Sequence, residues 1–214
     1  MIEARGSRRA LVRAYDLFSY VYSSTAARLE RAGVNRGLER LRVRPGDWVL
    51  EVAVGTAVVH RRLRARVSHP NRLIGVDLSP GMLRATRRRL PEARLARTDA
   101  RQLPFGADSF DALWSSYLLD LIPTAEITPV LVEFHRVLRP GGQLVLVNFS
   151  KNQAGPTLWE RLYELTPGFL VAWVFSGCRP VQAEAMVRAA GFAEVEREFV
   201  TNGLDSEVVT ARKN

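Results

Sequence analysis

The stretch Val49-Leu50-Glu51-Val52-Ala53-Val54-Gly55-Thr56-Ala57 is an apolar run that ends in small residues and passes into a helical pattern. A buried first strand turns into a helix in this way in a nucleotide-binding βα unit, with small residues where the backbone must approach a ligand closely. Leu73-Ile74-Gly75-Val76-Asp77 then supplies a second strand ending in a carboxylate, placed to accept hydrogen bonds from both hydroxyls of a ribose. Asp99-Ala100 follows a short third strand, and its acid would receive a base's exocyclic amine. The chemistry these residues suit is holding a nucleoside. Plain structural roles compete with it: a tight turn for Gly55, a helix cap for Asp77, a surface turn for Asp99. Ser79, beside Pro80, fills the capping role better than Asp77 does.

Elements that would position these residues can be read along the chain. Residues 8 to 30 form an amphipathic helical pattern with Leu11, Val12, Tyr15, Phe18 and Tyr22 on one face, and a second short helix covers roughly 25 to 42. Strands are expected at 48 to 54, 72 to 78, 95 to 100, 110 to 116 and 143 to 148. Helices run to about 66 and 89 after the first two strands, and another spans 124 to 138, closed by Pro140-Gly141-Gly142. An aromatic insertion at 156 to 176, a helix at 180 to 190, and an antiparallel pair at 193 to 200 and 206 to 212 complete the chain. The alternation of strands and helices gives one α/β domain, and the loops after the first three strands open at the same edge of a parallel sheet.

The chain has 214 residues, 47% of them hydrophobic, and a formal charge of +9 carried almost wholly by arginine. It holds one cysteine, Cys178, which excludes an internal disulfide and a cysteine-cluster metal site. No His/Asp/Glu set has metal-ligand spacing, so no metal is expected. No apolar run reaches the length that crosses a bilayer, and the first residues lack a signal peptide's apolar region, so a cytoplasmic protein is expected. The positive charge suits nucleic acid, anionic lipid or an acidic small molecule, although scattered arginines on exposed helices account for it equally well.

The order and spacing of these fragments resemble the class I S-adenosylmethionine-dependent methyltransferases, of the ubiquinone/menaquinone methyltransferase branch. Val49 to Ala57 resembles the family's first motif. Asp99-Ala100, followed by Leu103-Pro104-Phe105 and Asp108-Ser109-Phe110-Asp111, resembles its adenine-contacting loop and fourth strand. His135-Arg136-Val137-Leu138-Arg139-Pro140-Gly141-Gly142 resembles its most regular signature, the turn before the fifth strand. The resemblance implies a Rossmann-like, seven-stranded, mostly parallel sheet with an antiparallel last strand and helices on both faces. It implies a single methyltransferase domain over 1-214, with an N-terminal helical lid at 1-44 and a helical substrate-side insertion at 151-178.

Carried onto this sequence, the cofactor S-adenosyl-L-methionine would be held by Tyr22, Glu51, Ala53, Gly55, Ala57, Asp77, Leu78, Met82, Asp99, Ala100 and Ser115. Glu51 would orient the loop, Asp77 would bind the ribose, and Asp99 would meet the adenine amine. Two departures stand out: Ala53 and Ala57 occupy places where the family has glycine. Alanine at the second is easy, while at the first it costs about 1 kcal/mol or more if φ is positive. A weakened cofactor site, or a binding module without turnover, follows from the costlier case.

Methyl transfer asks the protein to align a nucleophile with the sulfonium and to exclude water, and a base is needed only if the nucleophile must lose a proton. Tyr15, Tyr22 and His60 are the weak catalytic candidates. For the acceptor, Trp159, Tyr163 and Trp173 would form an apolar wall, and Arg179 would meet an anionic head group; packing within a core or a homodimer is the plain alternative. A hydrophobic acceptor such as a quinone precursor or phospholipid amine fits, with peripheral contact at an anionic inner membrane face. A soluble metabolite remains the alternative acceptor. Nucleic acid is not expected, because Ser115-Ser116-Tyr117-Leu118 stands where base-amine methyltransferases carry an Asn-Pro-Pro-Tyr type motif.

Overall fold

The computed structural model describes residues 2–4, 8–18, 28–152, 158–174 and 177–214; within these, the side chains of residues 8, 17, 18, 169, 172 and 173 are left aside. Seven strands form one sheet in the order β3-β2-β1-β4-β5-β7-β6. They are β1 (Val49–Val52), β2 (Leu73–Asp77), β3 (Arg94–Arg97), β4 (Phe110–Ser116), β5 (Leu138–Phe149), β6 (Phe192–Val200) and β7 (Ser206–Lys213). The first five run parallel, while β7 is antiparallel to β5 and β6 antiparallel to β7. This is the Rossmann-like sheet implied by the resemblance, and the strand order reverses between β1 and β4, the place where such sheets bind ligands.

Alternate residues of each strand build two cores. Leu50, Val52, Leu113, Leu144 and Leu146 point to one face, where they meet α5 (Thr124–Val137) through Ile127, Leu131 and Phe134 and α8 (Glu184–Ala189) through Val187. Val49, Ala112, Trp114, Val145 and Val147 point to the other, against α2 (Arg31–Arg40) and α3 (Val58–Arg64). Burial on both faces explains why the central strands read as continuous apolar runs rather than alternating ones. Gly37 in α2 permits a close approach: a Cβ there would stand 2.7 Å from the ring of the fully buried Trp114.

Two readings of the sequence differ from the structure, and a third is followed only in part. The first helix, α1, spans Arg8–Phe18, and residues 19–27 of the expected run lie outside the described residues. The last helix begins at Glu184 rather than at 180. Pro140-Gly141-Gly142, read as a turn closing the helix before β5, lies inside β5. The helix stops at Val137, and Leu138 pairs with Phe110 before the register shifts and the ladder resumes at Gln143 opposite Ala112. Gly141, at φ 76°, takes up the irregularity within the ladder.

The remaining helices are α4 (Pro80–Arg89), α6 (Leu158–Leu165) and α7 (Gly168–Val174). Among the described residues, no helix is long and apolar enough to cross a membrane.

Candidate functional site

A cavity of about 530 Å³ opens at the carboxyl ends of β1, β2 and β4. Its base is the loop after β1. Ala53, at φ 64°, and Gly55, at φ 54°, both take left-handed conformations there, and so does Ala57, at φ 70°, at the start of α3. The strain anticipated at Ala53 is therefore present. Ala57, expected to accept alanine easily, pays the same steric penalty of roughly 1–2 kcal/mol for an L-residue in this region. A Cβ placed on Gly55 would meet nothing within 4 Å, so the loop leaves open space on its cavity side.

Asp77 fixes that loop. Its Oδ2 accepts a hydrogen bond from the Gly55 N–H at 2.9 Å, and its Oδ1 accepts one from the Ser79 N–H at 2.9 Å. Burial raises the carboxyl's pKa, and the two backbone N–H groups oppose that rise. Each oxygen keeps a second lone pair, which is what recognition of a ribose diol requires. Thr86 of α4 holds the loop from the other side, donating to the Gly55 carbonyl at 2.8 Å. Ser79 caps α4 by accepting from the Met82 N–H at 3.1 Å, as the sequence suggested.

Glu51 and His60 form a second fixture beneath the loop. His60 Nδ1 lies 2.7 Å from Glu51 Oε2, and both side chains are almost completely buried. Burial pushes the Glu51 carboxyl up, and the imidazole pulls it back. Glu51 reaches the cavity wall, but His60 does not line it. The imidazole touches the carboxylate and lies over Gly75, so it is placed to orient Glu51 rather than to take a proton from a substrate.

Other expected cofactor residues come together at the same cavity. Ala53, Gly55, Asp77, Leu78, Met82, Asp99 and Ala100 all line it. Asp99 accepts from the Arg101 N–H and from the Arg101 guanidinium, both at 3.1 Å, which fixes its carboxylate at the rim. Ala57 is buried behind the wall. Ser115 is also buried outside the lining, with an unpartnered Oγ, whereas Ser116, Tyr117 and Leu118 face the cavity. Tyr22 lies outside the described residues.

Of the expected acceptor residues, Trp159, Tyr163 and Arg179 do not line the cavity. Tyr163 and Arg179 are fully buried, Trp159 packs edge-on against Phe149, and the Trp173 side chain is not among those described. Arg179 Nη2 donates to the Ile122 carbonyl at 2.6 Å, so the guanidinium braces the turn that carries the wall rather than facing the cavity. The wall opposite the cradle is built instead from Leu11, Val12 and Tyr15 of α1 and from Tyr117, Leu121 and Ile122 after β4.

Two residues of the site were missed in the sequence. Asp16 of α1 accepts from Ser79 Oγ at 2.6 Å and from the Gly81 N–H at 2.8 Å, pinning the N-terminal helix to the start of α4. A Cβ at Gly81 would come within 2.7 Å of the Asp16 backbone, so the close approach depends on glycine. Tyr117 adopts φ 52° just after β4, and its hydroxyl meets Ser206 Oγ at 3.0 Å and the Glu30 carbonyl at 3.3 Å. An acid in α1 could have signalled a cap only once its partner helix was known; nothing local marks Tyr117.

A doubly wound sheet with a flexible-φ first loop and an acid at the end of β2 defines a protein that holds an adenosine-type cofactor at the switch point. The sequence model of a methyltransferase domain matches residues 49–142. The chain is 32% identical over 212 residues to a demethylmenaquinone methyltransferase of Clavibacter sepedonicus, an alignment covering 89% of this chain and 82% of that protein. It is 36% identical over 153 residues to a demethylmenaquinone methyltransferase of Beutenbergia cavernae, covering 72% of this chain but only 60% of that relative's length. The solved structure of the [4+2]-cyclase SpnF shares the fold, with a TM-score of 0.75 at 20% identity over 98% of this chain and 97% of that one. The chain belongs to the class I S-adenosylmethionine-dependent methyltransferases and is related to the ubiquinone/menaquinone methyltransferase family. Its cofactor is S-adenosyl-L-methionine, and the cavity fits that molecule: open space over Gly55 and the Asp77 carboxylate lie side by side in one wall.

Proposed function

We propose that the protein transfers the methyl group of S-adenosylmethionine to an apolar acceptor drawn from a membrane, with a quinone precursor as the first choice. The observation that carries this reading is the second half of the cavity. Beyond the cradle, Leu11, Val12, Leu118, Leu121 and Ile122 make an apolar wall with Tyr15 and Tyr117 set into it. Such a lining favours a ring or chain over a freely soluble polar metabolite. The demethylmenaquinone methyltransferases named above point the same way. The bound cofactor supplies an electrophilic methyl group on a sulfonium. The chain's own contribution is to hold the adenosine through Asp77 and Asp99, to seat Glu51 under the loop, and to shield the acceptor from water with α1.

A phospholipid amine is the second reading, favoured by Glu30, which reaches the same wall beside Tyr15 and Tyr117 and would attract an ammonium group. No histidine lines the cavity, so any proton leaving the acceptor passes to a wall oxygen or to solvent.

The test is transfer of labelled methyl from S-adenosylmethionine to demethylmenaquinone, to phosphatidylethanolamine and to a water-soluble extract. Label appearing in the quinone is the expected outcome. Label confined to the water-soluble extract, or cofactor binding with no transfer to anything, overturns the reading. Asp77→Ala should weaken cofactor binding about 100-fold by calorimetry, some 2.7 kcal/mol.

A further inference from the structure

We propose that the outward face of α6 and α7 is the surface on which the protein lies against an anionic lipid bilayer. This rests on the proposed membrane-held acceptor, but it assigns the insertion a different task from the one its aromatic residues suggested. The helix α6 is turned inside out for a water-soluble protein. Its inward side carries Glu160, buried and bound at 2.8 Å by Lys151 Nζ, and Tyr163, whose hydroxyl donates to the Gly177 carbonyl. Its outward side carries Leu158, Leu162 and Leu165, which are 73%, 49% and 81% exposed. These stand at i, i+4 and i+7 and so share one stripe of the helix. The next helix also exposes Leu170 and Val174, again four residues apart.

Five exposed apolar side chains on two successive helices, three of them in one stripe, mark a contact surface rather than chance. Charge selects its occupant. The chain carries +9 overall; on α6 the exposed Arg161 is offset by the exposed Glu164, and the positive charge near the face comes from α1, which packs against α7 and exposes Arg9 and Arg13 four residues apart. An apolar face flanked by guanidinium groups is the pattern of a helix that lies in the plane of an anionic membrane interface. A second copy carries the same net charge of +9, which opposes self-association.

The surface also lies close to the cavity. Gly177, where the chain returns from α7, is packed against Leu11 and Leu121, and a Cβ there would collide with the Leu11 side chain. Both leucines belong to the acceptor wall. The segment that follows α7 is therefore packed directly behind the acceptor wall.

The experiment is co-sedimentation of the full chain with vesicles of phosphatidylcholine and phosphatidylglycerol in equal parts, and with vesicles of phosphatidylcholine alone. Wild type is expected to bind the anionic vesicles at least tenfold more tightly than the neutral ones, with binding lost in high salt. The triple variant Leu158→Asp, Leu162→Asp, Leu165→Asp, and the milder pair Leu162→Gln, Leu165→Gln, should lose binding at least tenfold and at least threefold respectively. Both should keep the wild-type affinity for S-adenosylmethionine, which shows that the fold is intact. Wild type that ignores anionic vesicles overturns the proposal, as does undiminished binding by the milder pair. A dimer in light scattering that these substitutions dissociate, without vesicle binding, assigns the face to a second copy and also overturns it. Turnover of a detergent-dispersed acceptor separates the two ideas. Turnover in detergent with no vesicle binding sinks only the surface, and vesicle binding without turnover on any lipid acceptor sinks only the acceptor reading.

Discussion

The two ends of the cavity are held by different means. At the cradle, polar groups are paired: Asp77 takes two backbone N–H groups, Glu51 takes His60, and Asp16 takes the start of α4. At the acceptor end, buried polar atoms are left over. Among the described residues, Asp120 Oδ1 and Arg179 Nε and Nη1 have no hydrogen-bond partner, and Tyr117 holds a left-handed backbone. A buried orphan atom or a strained φ persists only where surrounding packing enforces it, and both collect at functional sites. The cradle carries its strain in the backbone, at Ala53 and Ala57, while its carboxylates are paired; the acceptor end adds a buried carboxylate and a guanidinium that are only partly bonded among the described residues.

Breaking the frame should have the largest effect on stability. His60→Ala leaves the fully buried Glu51 without its partner and is expected to destabilise the protein by about 3 kcal/mol in chemical denaturation. A loss under about 1 kcal/mol would show that the pair is not what holds the first loop.

Relieving the acceptor end should act in the opposite direction. Burial raises the Asp120 carboxyl well above its ordinary value. Its folded pKa therefore lies above its unfolded one. The native state keeps the proton longer than the unfolded chain does, and stability is lost as pH climbs through the interval between the two values. Asp120→Asn removes that loss. Its melting temperature is expected to exceed wild type by a few degrees at pH 8, with the advantage shrinking as pH falls toward 4. An equal difference at both pH values would show that the carboxyl does not titrate in that interval.

The smallest effect sharpens the contrast within the cradle itself. Ala53→Gly relieves φ 64° and should add about 0.5–1 kcal/mol of stability, with Ala57→Gly adding a similar amount. Cofactor affinity should hold or improve in calorimetry. A destabilised Ala53→Gly protein would mean that the flexibility of glycine in the unfolded chain outweighs the strain relieved.

Most of the cradle was legible because its signals are local. A strand, a turn of small residues and an acid at the end of the next strand lie within a short stretch of chain, and their order alone implies their meeting point. The φ of Ala53 was anticipated for the same reason. Ala57 was expected to be easy because only its size was considered, whereas it stands at the N-cap of α3 in a left-handed conformation that its sequence neighbours do not reveal. His60 was weighed as a base because it follows the loop; the turn of α3 carries it under the sheet instead, to Glu51. The insertion misled most. Its aromatic content suggested an acceptor wall, yet Tyr163 is spent on packing, and the cavity wall is supplied by α1 and the turn after β4.

By itself, the sequence determined the alternation of strands and helices, the sheet edge where ligands gather, and the acid at the end of β2 that stands beside the first loop. Periodicity and turn chemistry act over a few residues and survive in any plausible packing. Only the tertiary structure decided that Asp16 caps a helix 65 residues away, that Tyr117 bonds to Ser206 across 89 residues, and that α6 faces outward with its leucines. Those outcomes depend on which surfaces cover one another when the two cores close, and no local pattern carries that information.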